Sequence, residues 1–293
     1  MILLLGGGGF IGSAFARKLQ SQGVHYRSVS RSRVDYTQRS RLIDLIHETK
    51  PTFLINAAGY TGKPNVDACE KHKAVCLLGN AVLPGIIREA CEATDLPWGH
   101  VSSGCIYQGS RPDGCGFRES DPPNFSFRQP PCSFYSGCKA LGEECLVGAK
   151  NTFIWRLRIP FNEIDSQRNY LSKLMRYDRL LDVRNSVTHL DEYVEACLSC
   201  WNDRVEPGTY NVTNTGSIMT HEVVELIRRY RKPKREFRFF KDESEFMQDA
   251  VKTPRSSCVL DNSKLLASGV RMSSVEEAIE RSLKNWVVDG TLP

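Results

Sequence analysis

The first dozen residues, Met1 to Gly12 (MILLLGGGGFIG), restrict the possible folds more than any other stretch of the chain. Ile2 to Leu5 reads as a short apolar strand, Gly6, Gly9 and Gly12 follow it, and the run from Phe10 to Gln22 has helical character. A strand that ends in glycines lets the backbone turn sharply, and the helix behind it presents free N–H groups to an anion such as a pyrophosphate. Glycine triplets alone are common; the order strand, turn, helix gives the G-x-x-G-x-x-G spacing its meaning. The turn is therefore expected to hold a dinucleotide on Gly6, Gly9, Phe10, Ile11 and Gly12.

The following segments extend that unit. Val24 to Ser30 reads as a second strand, ending at Arg31, where a dinucleotide fold meets the adenosine ribose. An acidic residue there suits the free 2′-hydroxyl of NAD, whereas arginine pairs with the 2′-phosphate of NADP, so Arg31, with Arg33 nearby, points to NADPH. A helix through Leu42, Leu45 and Ile46, capped by Thr37 or Ser40, leads to the strand Phe53 to Ala57. Ala57, Ala58 and Gly59 close that strand with small residues, as a backbone passing near a cofactor requires. Helices from about Val66 to Asn80 and Leu83 to Ala93, a strand from Trp98 to Ser102, a helix from Phe134 to Gly148 and a strand from Phe153 to Leu157 complete the alternation. This predicts an α/β fold, a Rossmann-type parallel sheet with helices on both faces, over residues 1–158. Beyond Pro160 the pattern becomes mixed, and residues 159–293 are read as a smaller substrate-binding lobe, partly interleaved with the first. Its last helix is well signalled, because Ser273 to Glu276 and Ser274 to Glu277 both have capping-box spacing. Residues 104–131, rich in Gly, Pro, Ser and Asp, form a long loop of the kind that usually serves function.

Composition excludes several other classes. With 293 residues and 41% hydrophobic content the chain buries a large core. No secretory signal and no stretch of transmembrane length is evident, so a cytoplasmic protein without membrane association is expected. Eleven cysteines, an odd number, fit a reducing compartment. Cys197 and Cys200 form the single C-x-x-C and lie in a helical run, and the histidines have no ligand spacing, so no metal is expected. The net charge of +5 owes much to the cluster Arg228 to Arg235 at a helix end. No aromatic platform accompanies it, so no nucleic acid is expected as partner.

The chemistry is expected after the fourth strand. Tyr135 and Lys139 stand four apart on a helix and so share a face; an ammonium beside a phenol favours the phenolate, which would suit acid/base work near neutral pH. Ser103 supplies a hydroxyl at a strand end. With these residues the chain resembles the extended short-chain dehydrogenase/reductases over its whole length. Gly6, Gly9 and Gly12 match that family's cofactor turn, Asn56 to Gly59 its N-A-A-G segment, Ser103, Tyr135 and Lys139 its catalytic triad, and Asn80 its accessory asparagine. Longer stretches, among them Asn56 to Glu70, Ser102 to Tyr107, Ser133 to Lys139, Arg176 to Glu192 and Thr253 to Ser257, resemble the epimerase/reductases that make nucleotide-linked rhamnose.

That resemblance implies NADPH-dependent 3,5-epimerisation and 4-keto reduction of UDP-4-keto-6-deoxy-D-glucose to UDP-β-L-rhamnose. It implies epimerising roles for Cys105, two residues after Ser103 as in GDP-fucose synthase, and for Lys173, without deciding which is acid and which base. A nucleotide-sugar diphosphate needs cations, for which Arg255 is the first choice and Arg168, with Asn169, the second. Dimerisation is common in the family, so a homodimer is the expected assembly. Two other readings stand beside this one: turnover of a dTDP- or GDP-linked 4-keto sugar, and a non-catalytic NADP-binding sensor, against which the retention of Ser103, Tyr135 and Lys139 together argues. Two features depart from the pattern: Gly137 lies inside the catalytic helix, and residues 118–131 do not align.

Overall fold

The computed structural model describes residues 1–63 and 65–288; Pro64, within the Asn56 to Glu70 stretch, and residues 289–293 lie outside the described residues. Six strands form one all-parallel sheet: β1 (Ile2–Leu5), β2 (Tyr26–Val29), β3 (Phe53–Asn56), β4 (Trp98–Ser103), β5 (Thr152–Leu157) and β6 (Gly208–Asn211). Their spatial order is β6-β5-β4-β3-β1-β2, with Ile2 aligned to Tyr26 on one side and Phe53 on the other. The strands are short and covered on both faces; β1 is wholly apolar and β3 apolar up to Asn56, whereas β2, β4, β5 and β6 include polar residues. Ile2 and Leu4 point into one core with Phe15, Phe53, Trp155 and Tyr193; Leu3 and Leu5 point into the other with Leu42, Leu45, Ile87 and Trp98. The Rossmann-type reading therefore holds, with one addition: β6 comes from the C-terminal half, and its partner β5 ties that half into the sheet.

The helices are α1 (Phe10–Ser21), α2 (Arg39–Thr49), α3 (Ala68–Lys71), α4 (Lys73–Leu77), α5 (Leu83–Ala93), α6 (Phe134–Glu144), α7 (Tyr170–Arg176), α8 (Leu190–Asn202), α9 (Thr220–Arg231), α10 (Glu243–Asp249), α11 (Ser263–Ala267) and α12 (Val275–Lys284). Helix α8 packs on α1 over one face of the sheet, and α2 packs on α5 over the other. Cys197 and Cys200 are buried in α8, where they fill the core. A separate core of Phe161, Leu171, Leu174, Val223, Ile227 and Ile279 supports the C-terminal lobe.

Four local expectations need correction. The helix expected from Val66 to Asn80 breaks at His72, whose φ of −110° and ψ of 52° are not helical. From Lys73 the chain runs helically to Ala93, a π-turn at Leu78–Val82 joining α4 to α5. That 21-residue run is long and apolar enough to cross a membrane, contrary to expectation, although Leu83, Ile87 and Cys91 here pack in the core under the sheet. Helix α2 begins at Gln38 without a side-chain cap, because the Thr37 hydroxyl is turned to Asp35 at 2.5 Å. For α12 the capping box is the one at Ser274 and Glu277; Ser273 instead donates to Glu192 at 2.7 Å.

Candidate active site

The glycine turn is shaped by close approaches at two of its three positions. Gly6 has φ +78°, and a Cβ there would lie 2.5 Å from the Ala58 nitrogen; a Cβ on Gly12 would lie 2.1 Å from the Gly6 carbonyl oxygen. Either substitution forces the turn away from α1 or from β3. Gly9 is different: the nearest protein atom to a Cβ would be 3.4 Å away, and Gly8 faces open space. The protein itself therefore leaves room over the N-terminus of α1, which has no side-chain cap and no acidic residue in its first turn. Free N–H groups beside such a cradle suit a pyrophosphate. Arg31 is exposed just past β2 and makes no ion pair among the described residues. These residues fit a dinucleotide carrying a 2′-phosphate.

At the end of β4 the Ser103 hydroxyl accepts a hydrogen bond from the Cys105 nitrogen at 3.2 Å and starts a single 3-10 turn, Gly104–Ile106. The turn folds Cys105 back beside Ser103, and the thiol also reaches Ser136 on α6. Burial pushes the Cys105 thiol up, opposed by its bonds to Ser103 and Ser136 and by the charges of Arg158 and Lys139. Helix α6 is set by Ser133, whose hydroxyl accepts from the Ser136 nitrogen at 3.1 Å. One turn apart, Tyr135 and Lys139 reach the same region. Lys139 is buried and donates to the Val101 carbonyl at 3.2 Å, and a Cβ on Gly59 would lie 3.8 Å from its nitrogen. The N-A-A-G segment and α6 thus meet at Gly59.

The expected drift of Tyr135 toward phenolate is not what this environment produces. Burial, then the field of Cys105, holds its proton well above the usual phenol range, and burial also lowers the Lys139 ammonium. At Tyr135 desolvation outweighs the charge of Arg158, which favours the neutral phenol. Gly137 is explained by packing, since a Cβ there would lie 2.4 Å from the Phe127 ring. Asn80 sits in the π-turn, fully buried, donating to the Tyr60 carbonyl at 2.7 Å and accepting from the Tyr60 nitrogen at 3.2 Å. It shapes the backbone under Lys139.

The cations expected to meet a diphosphate reach Thr61 and Gly62 on one side and Asp67 on the other. Arg168 donates to the Thr61 hydroxyl at 3.2 Å and the Gly62 carbonyl at 2.8 Å, and Arg255 pairs with Asp67 at 2.8 Å. The other terminal nitrogen of Arg255, Nη1, is buried and has no hydrogen-bond partner among the described residues. Lys173 is half-buried on α7, lowered by burial and by the fields of Arg168 and Arg255. Asn169 is the exception. It is fully buried, caps α7 through the Leu171 nitrogen at 3.0 Å and donates to the carbonyls of Asn162 and Ile164, each at 2.7 Å, so it does not face a ligand. Arg255 lines a cleft of 850 Å³ with Gln108, Asn124, Phe125, Pro131 and Met247; Ser103, Cys105, Tyr135 and Lys139 are not part of its lining.

Three further groups support the site and carry no local sequence signal. Glu143 on α6 accepts from Ser102 at 2.5 Å and pairs with Arg156 of β5 at 2.6 Å, while Arg156 also donates to the Tyr107 hydroxyl at 3.0 Å. Glu70 accepts from the Phe134 nitrogen and the Thr253 hydroxyl, both at 2.8 Å, joining the start of α6 to the loop of Arg255. Arg158 is buried, held by Asn185 at 2.9 Å and by the Ser256 carbonyl, and its charge reaches Cys105 and Tyr135. All three join residues far apart in the chain, and only the folded arrangement reveals them.

The chain is similar to known proteins over nearly its whole length. A bifunctional dTDP-4-dehydrorhamnose 3,5-epimerase/dTDP-4-dehydrorhamnose reductase of Arabidopsis thaliana is 32% identical over 282 residues, 94% of this chain and 90% of the relative. A trifunctional UDP-glucose 4,6-dehydratase/UDP-4-keto-6-deoxy-D-glucose 3,5-epimerase/UDP-4-keto-L-rhamnose-reductase of the same plant is also 32% identical, and this chain spans 40% of its length. Among solved structures, a UDP-rhamnose synthase from Acanthamoeba polyphaga mimivirus superposes with a TM-score of 0.88 at 24% identity, covering 97% of this chain and 98% of that one. A dTDP-4-dehydrorhamnose reductase from Bacillus anthracis in complex with NADP gives 0.79 at 21% identity, covering 97% of each chain. The model of the RmlD substrate binding domain matches residues 1–288, and the chain belongs to that family.

Proposed function

We propose that the protein is an NADPH-dependent nucleotide-rhamnose reductase that also epimerises its substrate, converting UDP-4-keto-6-deoxy-D-glucose to UDP-β-L-rhamnose in one pocket between residues 1–158 and the lobe 159–293. The observation that carries the reading is the position of Cys105, folded back onto Ser103 and within reach of Ser136 beside Tyr135 and Lys139. A plain reductase has no need of a further acid or base at that point.

The C4 carbonyl acidifies the protons on C3 and C5, because the resulting carbanion delocalises into an enolate whose oxygen Ser103 and Tyr135 stabilise by hydrogen bonding. Inversion then needs a base on one face and an acid on the other. Burial keeps Cys105 protonated, while burial and two arginines draw Lys173 toward the neutral amine. Environments that push two groups apart assign their roles: Lys173 removes the proton and Cys105 returns one to the opposite face. NADPH, when bound on Gly6, Gly9, Phe10, Ile11, Gly12, Arg31 and the Ala57 to Gly59 segment, supplies the hydride for C4. Tyr135 then protonates the C4 oxygen, and Lys139 orients the nicotinamide ribose. Arg255 and Arg168 hold the diphosphate, Arg255 through the nitrogen that has no partner among the described residues.

A second reading, the dTDP-linked sugar, is favoured by the name of the bifunctional Arabidopsis relative. Incubating the protein with UDP-4-keto-6-deoxyglucose in deuterated water, with and without NADPH, tests both halves by NMR. Deuterium enters C3 and C5 without NADPH, and rhamnose forms with it; reduction without ring-proton exchange refutes the epimerase half. The same incubation with the dTDP sugar ranks the two bases.

A further inference from the structure

A buried histidine that the proposed reaction does not use stands behind the cofactor segment. His100 of β4 is 1% exposed and lies in register with Asn56, the fully buried last residue of β3. The two side chains meet across the strand pair, Asn56 Nδ2 standing 3.0 Å from His100 Nδ1. Asn56 Oδ1 in turn accepts from the Ala58 nitrogen at 3.1 Å, closing a tight turn directly after the strand.

The direction of both bonds follows from the end that cannot change. A backbone N–H only donates, so the Asn56 atom facing Ala58 is the oxygen and the atom facing His100 is the amide nitrogen. His100 Nδ1 must then accept, and the ring carries its proton on Nε2. An Nδ1–H tautomer or an imidazolium would set donor against donor at one end of the amide or the other. Burial, and then the charge of Lys139, hold His100 well below the usual imidazole range, in keeping with a neutral ring.

The peptide fixed in this way carries the glycine turn. A Cβ on Gly6 would lie 2.5 Å from the Ala58 nitrogen and 2.6 Å from its Cα, and the Ala57 nitrogen donates to the Leu5 carbonyl at 3.0 Å. One residue further, a Cβ on Gly59 would lie 2.9 Å from Asn80 Oδ1 and 3.8 Å from the Lys139 nitrogen. We propose that His100 is a positioning residue for NADPH: its Nδ1 fixes the Asn56 amide, and the amide fixes the Ala57 to Gly59 segment between the glycine turn and Lys139. The proposal rests on the reading of this segment as part of the NADPH site and not on the identity of the sugar. Without an acceptor at position 100 the buried Asn56 donor is unpaired, the amide turns away, and the Ala58 N–H loses its partner.

The test compares two substitutions that separate packing from hydrogen bonding. His100→Asn keeps an acceptor on the atom bonded to Cγ, where Nδ1 stands, but leaves a void where the rest of the ring was. His100→Leu fills the space beside Trp98, whose ring centroid is 6.1 Å away, and offers no acceptor. NADPH affinity is read by nicotinamide fluorescence well below the melting temperature of either variant, and Tm by circular dichroism. The expected order is crossed. His100→Leu has the higher Tm of the two yet binds NADPH roughly tenfold more weakly than the unsubstituted protein, the worth of one buried hydrogen bond; His100→Asn melts lower and keeps the affinity. An affinity that follows Tm across the two variants, or that neither variant changes, overturns the role of His100 and leaves the cofactor site standing. Nitrogen-15 NMR of the unsubstituted protein labelled at histidine, with His100 assigned by its contacts to the Asn56 amide protons, reads the ring directly. The Nε2–H tautomer is expected at neutral pH, and a proton on Nδ1 overturns the proposal even where a variant fails to fold. An unsubstituted protein that shows the Nε2–H ring but binds no NADPH refutes the cofactor reading, and the positioning role with it.

Discussion

Adjacent residues Glu143 and Glu144 offer a controlled test of what holds the catalytic helix. Both pair with an arginine, Glu143 with Arg156 at 2.6 Å and Glu144 with Arg128 at 2.7 Å. The first pair is 9% and 6% exposed at its side chains, the second 39% and 72%. Substituting Glu143 by Gln keeps the shape and one acceptor but leaves the Arg156 cation buried without a counter-charge. Breaking a buried pair on one side costs about 3–5 kcal/mol, whereas an exposed pair contributes about 0–1 kcal/mol. At about 2 °C of melting temperature per kcal/mol for a chain of this size, Glu143→Gln should lower Tm by roughly 6–10 °C and Glu144→Gln by no more than about 2 °C. Urea unfolding read by circular dichroism, with the slope compared between variants, gives the free energies. Equal losses in the two variants would refute the claim that burial makes the Glu143–Arg156 pair the anchor of α6.

Three more expectations concern the binding groups. Arg31→Ala should raise KM for NADPH about 10- to 100-fold, the cost of a lost charged hydrogen bond, with the value for NADH unchanged; equal losses for both cofactors would contradict the 2′-phosphate role. Gly12→Val should abolish NADPH binding measured by fluorescence, since its Cβ would lie 2.1 Å from the Gly6 carbonyl oxygen, and normal affinity would contradict the turn's geometry. Lys173 is lowered in part by Arg255, so Arg255→Met, which removes a like charge, should raise the Lys173 pKa. The limb of the C3/C5 exchange profile that reports Lys173 should then move to higher pH, together with a raised KM for the nucleotide sugar; a limb that stays in place would show that the two groups do not interact.

The sheet was legible because short strands, led by the apolar runs Ile2–Leu5 and Phe53–Asn56, alternate with helices of 3.6-residue period, and the cofactor turn because Gly6 and Gly12 are required by close backbone approach. The contact of Cys105 with Ser103 follows from their spacing, which a short 3-10 turn closes. Other features depend on burial, and local patterns do not report it. The phenol of Tyr135 is held above the usual range because desolvation exceeds the pull of the Arg158 charge. Asn169 has the look of a ligand-binding loop residue until its amide is seen to cap α7 and join Asn162 and Ile164. Likewise the break at His72 and the π-turn at Leu78–Val82 arise from tertiary packing against α6. Glu70 and Arg158 act across more than sixty positions of sequence in roles that only a fold assembles.

The central claim is that one pocket holds two separable chemistries, with Cys105 belonging to epimerisation and Tyr135 to reduction. The most direct measurement gives a Cys105→Ala variant, with NADPH, either UDP-4-keto-6-deoxyglucose or the already epimerised UDP-4-keto-rhamnose, and follows NADPH consumption and product stereochemistry by NMR. The account predicts reduction of the epimerised ketone at close to the unsubstituted rate and no rhamnose from the other. Rhamnose formed from both at the unsubstituted rate, or from neither despite normal NADPH binding, would contradict it.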